Sequence, residues 1–228
     1  MSKIKVENPI VELNGDEMAR VIWKSIKEKL IIPFLDIEMI EFDLSIKNRN
    51  KTNDTITIDA AKSIKENNVG IKCATITPDD KRVAEFKLNS KFPSPNGTIR
   101  NILNGTIFRE PIICKNIPKI VPHWNSPVVI ARHAFGDIYK AKDVKIKQEG
   151  KLYLEFVPKN GNKTQKTEIH DFKSNGIAMG MFNVDESIYD FAKSCFNFCI
   201  EKEIPLYFSS KNTILQNYDE RFKEIFDE

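Results

Sequence analysis

The chain has 228 residues, of which 41% are hydrophobic and 29% are charged, with 35 basic and 32 acidic side chains mixed along its length. This composition suits one large or two small globular domains, and the balanced charge excludes the clustered positive surface of a typical nucleic-acid-binding protein. No stretch approaches the roughly 18 apolar residues of a membrane span, and the N-terminus resembles neither a signal peptide nor a transit peptide. We therefore predict a cytoplasmic protein that binds neither nucleic acid nor membranes.

The first part of the chain alternates strands with helices. In order, the pattern predicts a strand at 10–13, a helix at 17–32 that Pro33 stops, a strand at 37–42, a helix at 55–67, a buried strand at 69–74, a loop at 75–79 and a helix at 81–88. This alternation is typical of an α/β fold, in which ligands bind beyond the carboxyl ends of the strands. The loop at 75–79 lies at such an end. No Gly-x-Gly-x-x-Gly motif occurs, which argues against a classical Rossmann site.

After Arg100 the pattern favours strands. The predicted elements are strands at 106–110, 112–114 and 128–133, a β-hairpin region at 143–172 with an Asn160-Gly161 turn, a helix at 185–202, a strand at 206–209 and a last helix at 214–226. The hairpin is expected to be exposed, and its strand edges need a cover. A second copy of the chain is the simplest cover.

The four cysteines do not indicate disulfides. Cys73 and Cys114 sit in apolar runs and are expected to be buried. Cys195 and Cys199 are one helical turn apart, a spacing that a metal site could also use. Reduced core thiols are the better interpretation, because phenylalanines surround the pair and structural zinc needs four ligands.

Three arginines stand out around a turn. The stretch Ser94-Pro95-Asn96-Gly97-Thr98-Ile99-Arg100 is followed by Arg109 and then by Arg132. Guanidinium groups repel one another, so bringing three together requires an anion, and arginine suits bidentate recognition of carboxylate or phosphate. If the three converge, the sequence predicts a small polyanion as the ligand.

A series of motifs resembles the NADP-dependent isocitrate dehydrogenases of the eukaryotic, homodimeric type. The most specific motifs are 15–18 (GDEM), 71–79 (IKCATITPD), 94–103 and 132–137 (RHAFGD), followed by 179–181 and 210–213. The resemblance extends over residues 11–226. It implies an isocitrate/isopropylmalate dehydrogenase-like α/β fold.

The resemblance also implies a division of the chain. Residues 1–103 would form the first part of an incomplete large domain with a nucleotide loop at 72–82. Residues 104–136 and 185–228 would form the two parts of a small α/β domain, the second truncated. Residues 137–184 would form a β-hairpin clasp that joins two subunits.

The activity that the resemblance implies is the oxidative decarboxylation of isocitrate to 2-oxoglutarate and CO2, with reduction of NADP and a requirement for Mg or Mn. The tricarboxylic acid cycle and the glyoxylate bypass are the pathways it implies. The enzyme would be a homodimer with a shared active site.

Residue by residue, the resemblance assigns three roles. The substrate contacts are Thr77, Ser94, Pro95, Asn96, Gly97, Thr98, Ile99, Arg100, Arg109 and Arg132. The cofactor contacts are Lys72, Thr75, Ile76, Thr77, Arg82 and Asn96. Tyr139 and Lys211 would carry the proton transfers, with Lys211 reaching across from the other subunit, and both would need a shifted pKa because each is normally a weak acid near pH 10.

The family's chains continue for nearly as long again beyond residue 228, and the metal-ligating aspartates and the contacts to the adenine and 2′-phosphate lie there. We therefore expect no metal ligands within residues 1–228 and no turnover by this polypeptide alone. Two alternatives remain open. One is a short, non-catalytic paralogue that keeps anion binding or dimerisation. The other is a sister β-decarboxylating dehydrogenase that acts on another 2-hydroxy acid with NAD.

Overall fold

The structure is a computed structural model that describes residues 2–124 and 126–228. The strands are β1 Ile4–Lys5, β2 Ile10–Asn14, β3 Leu35–Asp36, β4 Met39–Asp43, β5 Gly70–Lys72, β6 Thr106–Arg109, β7 Ile130–His133, β8 Lys142–Ile146, β9 Gly150–Phe156, β10 Gln165–Phe172 and β11 Gly176–Gly180. The helices are α1 Glu17–Ile26, continued by a π-helical turn Lys27–Ile31, α2 Ile46–Lys51, α3 Thr55–Asn67, α4 Asp80–Phe86, α5 Pro95–Ile102, a 3-10 turn Asp137–Tyr139, α6 Asp185–Lys202 and α7 Tyr218–Asp227. The chain is thus mixed α/β with several small sheets.

The chain divides into two compact units. The first comprises residues 1–135 and 185–228, and the second comprises residues 136–184. The predicted boundary between a large domain ending at 103 and a small domain starting at 104 stays a prediction.

A parallel sheet in the order β4-β2-β5 organises the first unit. Val11 and Leu13 of β2 are fully buried on one face, where they pack with Leu44, Ala60 and Ile99. Side chains alternate along a strand, so Val11 and Leu13 share one face of β2. Helices α3 and α5 cover that face. The predicted strands at 10–13 and 37–42 and the helix at 55–67 are confirmed.

The opposite face of β2 carries a buried carboxylate. Glu12 is 1% exposed and accepts hydrogen bonds from Lys27 Nζ (2.7 and 2.8 Å) and Trp23 Nε1 (2.9 Å). A buried charge is tolerated only when it is paired and hydrogen-bonded, so this contact docks α1 on the sheet. The predicted helix is confirmed, although its apolar side chains Met18, Val21 and Ile22 are exposed.

A second core in the same unit lies under the antiparallel pair of β6 and β7. Phe108 and Ala131 pack against Ala192, Cys195 and Phe226, which come from α6 and α7. The bounds predicted for α6 are confirmed.

The second unit consists of two antiparallel pairs. β8 pairs with β11, and β9 pairs with β10 across a connection that contains Asn160 and Gly161. Gly161 has φ +77, a left-handed conformation that glycine adopts at little cost. The predicted hairpin is confirmed.

Two predicted strands are absent from the structure. Residues 112–114 and 206–209 are described without strand pairing, and Ile112 is 94% exposed. Both segments follow a proline, Pro111 and Pro205, which has no N–H to donate to a ladder. The last helix also begins later than predicted, at Tyr218 rather than at 214, because residues 212–217 form turns.

Two helices were not predicted. Residues 46–51 form α2, and the stretch read as a Pro/Gly turn at 94–98 is the N-cap and first turn of α5. Proline is compatible with the first helical turn, where its missing N–H has no intrahelical partner. The strand expected to be buried, β5, is instead an edge strand with Gly70 exposed and Lys72 half-buried.

The cysteines differ from expectation at three positions. Cys114 is exposed, and Cys73 and Cys199 are only partly buried, whereas Cys195 is buried as expected. Among residues 2–124 and 126–228, no helix combines the length and apolar character that crossing a membrane would require.

Candidate functional site

The loop after β5 is built around Lys72. Its ammonium group donates to the carbonyl of Cys73 (2.8 Å) and to Oγ1 of Thr75 (2.9 Å). Burial, and next the positive charge of Arg49, lower the pKa of Lys72 from 10.5 to about 8. Lys72 and Thr75, two of the predicted cofactor contacts, are therefore brought together, and their donors lie at the carboxyl end of a strand.

The next residue of this loop, Ile76, is held at both of its backbone polar groups. Its N–H donates to Oδ2 of Asp16 (2.9 Å), and its carbonyl accepts from Nη1 of Arg49 (2.9 Å). The loop also passes very close to Gly15, where an added Cβ would lie 1.9 Å from the carbonyl oxygen of Ala74. Only glycine fits at that position.

Arg49 connects this loop to the stretch before α5. It is 0% exposed, pairs with the carboxylate of Asp54 (Nε to Oδ1, 2.8 Å) and donates from Nη2 to the carbonyl of Pro93 (2.8 Å). One guanidinium group thus touches both the predicted cofactor loop and the residue that precedes Ser94. Sequence reasoning missed Arg49, because the surrounding run from Lys47 to Lys51 has the polar character of a solvated surface.

Arg82, the last predicted cofactor contact along the loop, lies in α4. Its Nη1 is 3.2 Å from Oε2 of Glu85 and 3.5 Å from Oε1 of Glu17. These ion pairs are partly exposed and individually weak. A phosphate could therefore compete for this guanidinium.

Helix α5 presents the predicted substrate stretch. Ser94 is the N-cap residue, and its side chain makes no capping hydrogen bond. Pro95 and Ile99 are buried, with Ile99 7% exposed in the first core, while Asn96 and Arg100, four residues apart, lie on a neighbouring face of the helix. The remaining members of the stretch, Gly97 and Thr98, are half-buried.

Arg109 and Arg132 project from the same face of the β6–β7 pair. Arg132 is paired with Ile107, and Arg109 lies two residues further along β6, so the two arginines are diagonal neighbours on one face. The other face carries Phe108 and Ala131 and packs on the second core. Within the described part of the chain, no carboxylate forms an ion pair with Arg100 or Arg109.

His133 and the two proton-transfer candidates, Tyr139 and Lys211, lie outside α5 and the loop after β5. Nε2 of His133 lies 2.9 Å from Oγ of Ser187 in α6, and its ring stacks on Phe191, which agrees with a structural role. Tyr139 belongs to the second unit and Lys211 to the first. The backbone N–H of Lys211 donates to Oδ2 of Asp219 (2.6 Å), and the side chain is exposed.

The polar side chains of the site are suited to a nucleotide and to a metal ion to different degrees. Ammonium, guanidinium and hydroxyl groups at Lys72, Arg82, Thr75 and Thr77 are suited to the phosphates and amide of a nucleotide. For a divalent metal, residues 2–124 and 126–228 offer no group of three or more His, Cys, Asp or Glu side chains. The loop after β5 therefore offers hydrogen-bond donors of the kind that a nucleotide accepts, and the described residues by themselves offer no comparable set for a metal.

Comparison with known proteins yields consistent relatives. The chain is 56% identical over 226 residues to the mitochondrial isocitrate dehydrogenase [NADP] of Mus musculus, covering 99% of this chain and 50% of the mouse protein. It is 56% identical over 228 residues to the isocitrate dehydrogenase [NADP] of Sphingobium yanoikuyae, and 57% identical over 226 residues to the chloroplastic/mitochondrial isocitrate dehydrogenase [NADP] of Arabidopsis thaliana. These alignments cover 100% and 99% of this chain and 56% and 47% of the relatives.

The chain thus spans about half the length of the curated relatives it matches. A family model described as isocitrate/isopropylmalate dehydrogenase matches residues 5–228. The chain therefore belongs to the isocitrate/isopropylmalate dehydrogenase family.

Proposed function

We propose that the protein is an NADP-dependent isocitrate dehydrogenase that converts isocitrate to 2-oxoglutarate and CO2. The observation that carries the proposal is the placement of Arg109 and Arg132 as neighbours on one face of a strand pair. Two adjacent guanidinium groups match a substrate with several carboxylates. The names of the relatives, all isocitrate dehydrogenase [NADP], support the same conclusion.

In this proposal, the three arginines bind the carboxylates of the substrate. Arg109 and Arg132 approach from the strand pair, and Arg100 approaches from α5. The hydroxyl of Ser94, which is not used for capping, and the amide of Asn96 bond the remaining oxygens. The N-terminus of α5 adds a favourable dipole for a negative group, and the other proposed contacts are Thr77, Pro95, Gly97, Thr98 and Ile99.

The loop after β5 holds the nicotinamide nucleotide. The proposed contacts are Lys72, Thr75, Ile76, Thr77, Arg82 and Asn96. When bound, NADP accepts a hydride from the substrate. The residues of this chain orient the nucleotide through the hydrogen-bond donors of the loop.

Proton transfer is assigned to Tyr139 and Lys211. The substrate hydroxyl must lose its proton as hydride leaves, and the enol that follows CO2 loss must gain one. Lys211 is placed on an exposed segment, which agrees with a lysine that reaches the site of a second subunit. Mg or Mn belongs to the proposed activity, and residues 2–124 and 126–228 contain no group of three or more His, Cys, Asp or Glu side chains that would hold it.

We also propose a division of the chain into domains and a homodimeric assembly. Residues 1–103 begin a large domain, 104–136 and 185–228 form a small domain, and 137–184 form a clasp that joins two copies into a homodimer. The exposed apolar side chains of the second unit, among them Ile177 (79% exposed), support the clasp. The names of some relatives place them in mitochondria or chloroplasts, so the cytoplasmic location stays a prediction, which microscopy of the native protein tests.

We further propose that a polypeptide limited to residues 1–228 does not form NADPH from isocitrate, because the relatives are about twice as long. Metal-dependent NADPH formation by that purified polypeptide would contradict this.

The family description also includes isopropylmalate dehydrogenases, so a substrate panel tests the proposal. The native protein is supplied with isocitrate or 3-isopropylmalate, NADP or NAD, and Mg or Mn, and reduced nucleotide is followed by absorbance. We expect rapid reduction only with isocitrate and NADP. Preferential use of 3-isopropylmalate or NAD would favour the sister dehydrogenase, and a native protein that binds isocitrate without turnover would favour the non-catalytic paralogue.

A further inference from the structure

We propose that Asp16 and Arg49 are positioning residues of the dinucleotide site, and that Arg49 also couples this site to the substrate helix α5. The inference rests on the proposed function, because it assumes that the loop at 75–78 binds the nucleotide. Neither residue is among the proposed ligand contacts. Each acts through the backbone of Ile76.

The first step is the constraint on Ile76. Asp16 accepts from its N–H and Arg49 donates to its carbonyl, each at 2.9 Å. These two groups belong to the peptide units on either side of the Ile76 Cα. Both backbone dihedral angles of Ile76 are therefore restrained, and so are the directions in which Thr75 and Thr77 leave it.

The second step is that both restraining groups are themselves fixed. The other carboxylate oxygen of Asp16 accepts from the N–H of Ile46 (2.8 Å), at the start of α2. Arg49 lies in the same short helix and is paired with Asp54, which also accepts from the hydroxyl of Thr57 (2.6 Å). Helix α2 therefore fixes both groups, since its first N–H binds Asp16 and Arg49 is one of its own residues.

The third step is energetic. A buried ion pair is often no more stable than well-packed apolar side chains of similar volume, so stability alone does not explain why this position carries an arginine. What a guanidinium group provides, and an apolar side chain does not, is several hydrogen-bond donors in a fixed plane. Here those donors reach the carbonyls of Ile76 and Pro93 at once.

The two residues differ in one respect that separates their effects. Arg49 contacts Pro93, which directly precedes Ser94, whereas Asp16 contacts the loop and α2 but not Pro93. A change at Asp16 should therefore act on the nucleotide loop and on the start of α2, without removing a hydrogen bond to Pro93. A change at Arg49 should disturb both the nucleotide loop and the start of α5.

The test uses the full native enzyme with the variants Asp16→Asn and Arg49→Lys. Asparagine keeps one acceptor oxygen and loses the other, and lysine keeps the charge but loses the planar set of donors. Glu12→Gln is the matched control, because it weakens a buried ion pair with Lys27 in the same unit. The side chain of Glu12 bonds to Trp23 and Lys27 and not to the nucleotide loop or the start of α5. The readouts are the Kd for NADPH, the KM for isocitrate, kcat and the Tm.

For Asp16→Asn we expect the Kd for NADPH to rise by about tenfold, as for a small misplacement of binding groups, and the KM for isocitrate to rise by a smaller factor, because Thr77 is also a proposed substrate contact. For Arg49→Lys we expect both constants to rise. Glu12→Gln should lower the Tm and leave both constants unchanged.

The inference is overturned if Asp16→Asn binds NADPH as wild type does, or if it changes both constants no more than Glu12→Gln does at an equal loss of Tm. Should Arg49→Lys not fold, the comparison of Asp16→Asn with Glu12→Gln decides alone. A wild-type enzyme that binds no NADPH would instead refute the proposed function, which keeps the two failures distinct.

Discussion

Arg109 and Arg132 are diagonal neighbours on one face of the β6–β7 pair, turned away from the core that the other face covers. Such positions are about 7–8 Å apart along the backbone, within reach of long side chains, and two like charges that approach one another repel. This repulsion is relieved when an anion binds both groups. The strand register thus prepares a site for a ligand with more than one negative charge.

The close passage of Ala74 over Gly15 makes a stability prediction. Gly15→Ala places a methyl group 1.9 Å from a backbone oxygen, so the sheet and the loop must separate. We expect the free energy of unfolding to fall by about 2 kcal/mol or more, as for overpacked sites. Urea denaturation of the native protein measures it.

Gly97→Ala is the matched control for that experiment. A Cβ at Gly97 meets nothing within 4 Å, and alanine is favoured over glycine in a helix by up to about 1 kcal/mol. Stability should therefore be unchanged or higher. Equal losses of stability in both variants would contradict the account of Gly15.

The lowered pKa of Lys72 predicts a pH dependence of cofactor binding. Since burial and the charge of Arg49 lower this pKa to about 8, the ammonium form predominates at pH 7 and the neutral amine at pH 9. If the ammonium binds the nucleotide, the Kd for NADPH should rise between these pH values by at most about tenfold. This limit follows because the protonated fraction of a group with a pKa of about 8 falls about tenfold over that range. Fluorescence titration at a series of pH values measures the change.

Lys72→Met separates this effect from other titrations. The variant should bind NADPH more weakly at pH 7 and should lack the rise towards pH 9. If its Kd follows the same pH dependence as wild type, Lys72 is not the group responsible.

The second unit predicts a self-association surface. Ile177 and Met179 are alternate residues of β11 and lie exposed on one face. In a homodimer that covers this face, Ile177→Asp would bury an unpaired carboxylate, and the dimer dissociation constant should rise about tenfold or more. Sedimentation equilibrium of the native protein measures it, with Lys65→Asp on the exposed side of α3 as the control. An unaltered dimer in Ile177→Asp would rule out this face.

Local sequence patterns predicted those elements whose cause is local. The apolar spacing of α6 and the Asn160-Gly161 signal both correspond to what the structure contains, because helix periodicity and turn conformation depend on neighbouring residues. The prediction of strands at 112–114 and 206–209 was wrong. A strand also needs a partner strand, which no local pattern specifies. Helix α5 was read as a turn because Pro95 and Gly97 usually break helices, although proline suits a first helical turn.

Only some residues of the candidate site could likewise be identified from local sequence patterns. The arginines could be singled out from residue type and spacing, and their relation across β6 and β7 required the strand register. Arg49 could not be found, since its burial depends on the carbonyls of Ile76 and Pro93, which are distant in sequence. Asp16 precedes α1 without a side-chain capping bond, because its oxygens accept from the N–H groups of Ile46 and Ile76.

In the proposed site, Arg109 and Arg132 together bind the carboxylates of isocitrate. Isothermal titration of isocitrate into the native protein and into Arg109→Met and Arg132→Met tests it most directly. Loss of a hydrogen-bonded charge should raise the Kd about 10- to 100-fold in each variant. Arg221→Met, which removes a partly exposed arginine of α7 that pairs with Asp185 of α6, should bind as wild type does. Binding within about twofold of wild type in Arg109→Met and Arg132→Met would contradict the claim.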